Sequence, residues 1–98
     1  MTQERKRVYL VNVAYYNQKG IESKIPVLTD DDLNILGVFK DAQGKRFENA
    51  QYEAKRYAEK NGWQFVFAGD PEQSTFLDTH NPQDLRIPLK EKGYITTW

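Results

Sequence analysis

The chain has 98 residues, and its fourteen basic and fourteen acidic side chains cancel. That neutrality argues against a protein held to nucleic acid by bulk charge, and equally against an acidic mimic of it. With no cysteine present, disulfides, thiolate nucleophiles and zinc–thiolate centres are excluded.

Apolar residues make up 39% of the chain, aromatics 13% and charged residues 29%. This is enough to fold, and the length suits a single domain spanning 1–98, with 1–6 as a short polar tail. No apolar run reaches the length of a membrane span. Residues 1–7 lack the apolar stretch and cleavage site of a signal peptide, so the expected location is cytoplasmic.

Arg7 to Tyr16 reads as a strand. Val8, Tyr9, Val11, Val13, Tyr15 and Tyr16 are β-branched or aromatic, and both faces are largely apolar, as in an inner strand. Asn12 is the polar exception, expected where the covered zone ends. Asn17-Gln18-Lys19-Gly20 is a turn, and Ile21–Leu28 a returning strand that Pro26 assigns to an edge or to an irregular segment. Thr29-Asp30-Asp31-Asp32 resembles a helix start of a single turn. Asn34–Lys40 reads as a strand, turning at Asp41–Gly44 into Lys45-Arg46-Phe47.

The clearest helix covers 49–61. Ala50, Ala54, Tyr57 and Ala58 form a narrow stripe, Lys55, Arg56 and Lys60 complement the helix dipole, and Asn61-Gly62 supplies the stop. Trp63 to Ala68 then alternates. Trp63, Phe65 and Phe67 are expected to face the helix as the heart of the core. Gly69–Glu72 reads as a turn and Gln73–Asp84 as a loop. Leu85, Ile87 and Leu89 alternate as a short edge strand, with a helical turn over Pro88–Lys92 as the competing reading. Tyr94–Trp98 reads as a final strand. The fold class that follows is α+β: a small, mostly antiparallel sheet packed on one face by a single main helix at about 49–61.

The search for chemistry yields little. His80 is the only histidine, and neither Ser23 nor Ser74 lies in a nucleophile-elbow context. Asp30, Asp31 and Asp32 lack the spacing of a calcium loop, and no Gly-rich phosphate loop occurs. No catalytic group, metal site or cofactor is expected, and the chain is read as a non-enzyme.

The leading function is a small protein-binding or regulatory module acting through an exposed face or a sheet edge. Tyr52, Lys55 and Arg56 on the outer face of the helix, with Trp98 near the C-terminus, are its candidate contacts. An open edge also makes a homodimer plausible. The alternative is nucleic-acid binding through a local basic and aromatic patch formed by Arg5, Lys6, Arg7, Lys45 and Arg46.

Overall fold

The computed structural model describes residues 5–16, 18–39 and 47–95. Its centre is strand β1 (Arg7–Tyr16), which pairs antiparallel with β2 (Glu22–Thr29) in a register that sets Tyr9 against Thr29 and Tyr16 against Glu22. Strand β3 (Ile35–Val38) pairs antiparallel with β2. Helix α1 (Phe47–Lys60) then carries the chain to β4 (Gln64–Val66), which pairs in parallel with β1. The sheet order is β3-β2-β1-β4. The fold is α+β, with a mostly antiparallel sheet and α1 on one face.

Both faces of β1 are buried, as their apolar character anticipates. Val8 and Leu10, with Leu28 of β2, lie under Ala50, Ala54 and Ala58 of α1. Three alanines on one helical stripe let the backbone come close to the sheet. Tyr57 lies at the margin of that stripe, and its hydroxyl donates to the Leu36 carbonyl at 3.2 Å. The helix stops at Gly62, whose φ of +75° is a left-handed conformation that suits glycine.

The opposite face carries the larger core. There Tyr9, Val11, Val13, Ile25, Val27 and Val66 meet Phe76, Leu85, Leu89 and Ile95. The residues that cover it come from α2 (Pro71–Thr79), a 3-10 helix (Pro82–Leu85), α3 (Arg86–Glu91) and, beyond it, Ile95. The single-helix sheet is therefore closed on its second side by a further helical layer that the sequence places in a loop and an edge strand, except that α3 overlaps the competing helical turn over Pro88–Lys92. Tyr9 and Phe76 stack with ring centroids 4.1 Å apart and planes within 4°.

Several expectations are corrected. Pro26 lies in an inner strand, not an edge. Its carbonyl accepts from Phe39 N–H at 3.0 Å, on the side away from β1 and one residue past the end of β3. The donor that proline lacks is thus missing only where the β2–β3 ladder stops. Residues 30–34 form a turn, not a helix start. Asp30 Oδ1 accepts from the N–H groups of Asp32 and Asn34, and Asp30 Oδ2 from Asn34 Nδ2, at 2.9 to 3.0 Å.

The heart of the core is β1 and not the aromatic stretch. Trp63 and Phe65 are half-buried beside α1, and Phe67 lies past the end of β4 and is exposed. Tyr94 and Ile95 are not in a strand. The expected turn at 41–44, Lys45, Arg46 and residues 96–98 lie outside the described residues.

Candidate protein interface at the open edge of β1

A strand's backbone groups alternate sides, so one inter-strand bond fixes the direction of the rest. Gln64 N–H donates to the Lys6 carbonyl at 2.8 Å, which places that carbonyl on the β4 side. Leu10, Asn12 and Ala14, at even spacing from Lys6, turn their N–H and C=O groups to the same side. Val11 and Val13 turn theirs towards β2. Strand β4 is short, and its last partner on β1 is Tyr9. Beyond it, no strand among the described residues runs beside Asn12 and Ala14.

The first group past the end of β4 is capped by a side chain. Gln73 of α2 donates from Nε2 to the Leu10 carbonyl at 3.3 Å. Only the nitrogen of an amide can make that bond, so Gln73 Oε1 is left over, and it finds no partner. Gln73 is only 4% exposed. Gln83 Oε1, on the 3-10 helix, is likewise buried without a donor. Both glutamines border a hollow of about 370 Å³ that also takes in Asn12, Gly69, Leu77 and Pro82. The β1 edge here is recessed between the chain leaving β4 and the α2–3-10 layer. Compared with known protein families, curated proteins and solved structures, the chain matches none of them.

The helix face picked out from sequence is a second surface. Tyr52 is 70% exposed. It and Lys55 share a shallow hollow of about 300 Å³ with Glu48, Gln51 and Phe67. Lys55 Nζ lies 5.4 Å from the centre of the Phe67 ring and 3.9 Å from Glu59. Arg56 is exposed on α1 and does not border that hollow, and Trp98 lies outside the described residues.

The basic group is partly dispersed. Arg5 and Lys6 are exposed, and Lys6 Nζ lies over Trp63 at 5.7 Å. Arg7 is shared between Asp31 at 3.6 Å and Glu72 at 3.9 Å. This pair ties the start of β1 to the β2–β3 turn and to the first turn of α2. Beside it, burial pushes the Tyr9 hydroxyl up to about 12, reinforced by its hydrogen bond to Asp31. Asp30 shows the opposite net effect. Burial alone raises a carboxyl, but the bonds from Asn34 and Asp32 outweigh it and hold Asp30 below its ordinary value.

His80 closes α2. Its Nδ1 lies 3.1 Å from the Phe76 carbonyl and 3.0 Å from Thr79 Oγ1, and its ring stacks on Phe76. Among the described residues no group of three or more His, Asp or Glu side chains is placed to hold a metal ion, and no helix is long and apolar enough to cross a membrane. Sequence reasoning passed over Ala14, Gln73 and Gln83. The one available signal was Asn12, a polar residue inside an apolar strand.

Proposed function

We propose that this protein is a non-catalytic protein-binding module that takes an extended segment of its partner as an added strand on β1. The observation that carries the reading is the early end of β4, which leaves the backbone groups of Asn12 and Ala14 facing a lane of the sheet that no strand among the described residues fills. Strand addition uses main-chain hydrogen bonds for affinity and neighbouring hollows for selectivity. Both elements are supported here, because the hollow at Gln73 and Gln83 adjoins the lane.

The occupant proposed is a single extended segment rather than a second copy of the sheet, because residues of α2 and the 3-10 helix (Gln73, Leu77, Pro82 and Gln83) stand beside the same edge. The Tyr52 and Lys55 face offers side chains alone, and isolated exposed aromatics are ordinary on protein surfaces. Nucleic-acid binding draws on less support, because Arg7 is already engaged by two carboxylates. A reducing, cytoplasmic setting fits the cysteine-free chain.

Ala14→Pro tests the proposal. Proline removes an N–H that points into the lane and leaves the β1–β2 ladder intact, as edge prolines do. Peptides selected from a displayed library of random linear sequences are expected to lose binding to Ala14→Pro by tenfold or more, with an unchanged melting temperature. Equal binding by the variant, or no selectable peptide, contradicts the reading. A concentration-dependent dimer abolished by Ala14→Pro transfers the edge to a second copy of this chain.

A further inference from the structure

Asn61 is the only asparagine of the chain that is followed by glycine. In such a pair no side chain shields the second backbone nitrogen, so that nitrogen can approach the amide carbon of the first residue. Both residues are exposed, and water reaches them. The fold decides how the two reacting groups are held. Helix α1 ends in a Schellman motif, in which Trp63 N–H donates to the Ala58 carbonyl at 2.8 Å and Gly62 N–H to the Glu59 carbonyl at 3.1 Å. Asn61 Nδ2 donates to the Tyr57 carbonyl at 2.8 Å.

These bonds occupy the nucleophile and the leaving group of one intramolecular reaction. Gly62 N would bond to Asn61 Cγ and the Cγ–Nδ2 bond would break. Nδ2 would then leave as ammonia, carrying the proton that Gly62 N–H gives up. Water opens the resulting cyclic imide at either carbonyl and leaves an aspartyl or an isoaspartyl residue. In the folded chain, Gly62 N must first turn away from Glu59, and Nδ2 must leave Tyr57. The backbone between them is fixed as well, because Asn61 N–H donates to the Tyr57 and Ala58 carbonyls at 3.2 and 3.1 Å.

We infer that Asn61-Gly62 is a deamidation site gated by the last turn of α1. The closed turn protects the amide, and each opening exposes it to conversion. Either product puts a carboxylate where an amide donor stood, at the negative end of the helix dipole, so a turn that has reacted closes less well. The isoaspartyl product also routes the main chain through the former side chain, which disturbs the spacing that the Schellman bonds require. The inference is independent of the strand-addition reading.

Peptide mapping by mass spectrometry tests it on the full chain, after incubation in heavy-oxygen water at mildly alkaline pH. In guanidinium chloride, Asn61 is expected to convert ahead of every other asparagine and to take up the heavy oxygen. In the folded protein, conversion at Asn61 is expected to be slower by about tenfold or more, the protection of a helix end that opens locally. Lys60→Gly lowers helix propensity at an exposed position in the last turn. Relative to its own rate in guanidinium chloride, this variant is expected to convert several-fold faster when folded than the parent protein does. Failure of Asn61 to convert first in the denaturant overturns the site. Equal rates in the folded and denatured parent, or no relative acceleration in Lys60→Gly, overturn the gate.

Discussion

At the scale of single residues, two side chains link stability to pH. The Tyr9 hydroxyl is raised to about 12 in the fold, from an ordinary value of 10.0. A group whose proton is held more tightly when folded contributes stability that is fully present below its unfolded pKa. That stability disappears as pH rises through the folded value. The expected loss lies between pH 10 and about 12, and amounts to roughly 2–3 kcal/mol. Absorbance titration of the phenolate, run beside denaturant melts, checks it. Tyr9→Phe is expected to abolish the step while keeping the stack on Phe76. Asp30 works in the other direction. Its lowered pKa means that its contribution is present above the unfolded value and is lost as pH falls through the folded one. Three hydrogen bonds converge on this carboxylate. Asp30→Ala is expected to cost about 1–3 kcal/mol at neutral pH and to flatten the acid limb of the stability profile.

At the scale of elements, the packing ranks the aromatic residues differently from their order of prominence in the sequence. Phe76 is buried against Tyr9, whereas Phe65 is only half-buried beside α1. Urea melts are expected to show Phe76→Ala losing about 3–5 kcal/mol and Phe65→Ala clearly less. The stop of α1 at Gly62 can be tested in the same way. A Cβ built there meets nothing within 4 Å, so Gly62→Val pays only for its left-handed backbone, by about 1–2 kcal/mol. The sequence was legible where a single period dominated. The two-sided apolar run of β1 and the alanine stripe of α1 read correctly. It misled where apolar residues appeared on a solvent face. Ile87 completed an alternation with Leu85 and Leu89, yet in the structure Leu85 and Leu89 are buried four positions apart and Ile87 is exposed. Helix α2 hid behind its own start. Asp70-Pro71-Glu72 reads as a turn, but the same residues stand at the N-cap and first turn of a helix that buries only Gln73 and Phe76. The site was less legible still. An open edge is set by where β4 stops, and an orphaned glutamine oxygen by what its nitrogen already holds. Neither is written in residue type.

At the scale of the whole molecule, the sheet is covered on both faces and interrupted along one edge. Helix α1 crosses one side, and the chain after β4 closes the other with α2, the 3-10 helix and α3. The burial of both faces of β1 makes it the most constrained strand, while its outer edge past Tyr9 lacks a neighbouring strand among the described residues. A rigid strand with an unpaired edge suits strand addition, because the ordering has been completed by folding before the partner arrives. Residue-resolved amide hydrogen exchange along β1 tests that central claim most directly. The account predicts slow exchange at Val11 and Val13, whose N–H groups face β2. It predicts fast exchange at Asn12 and Ala14, slowing when a selected peptide binds. Protection at Asn12 and Ala14 equal to that of Val11 and Val13 in the unbound monomer contradicts it, because the lane beside β1 is then already filled.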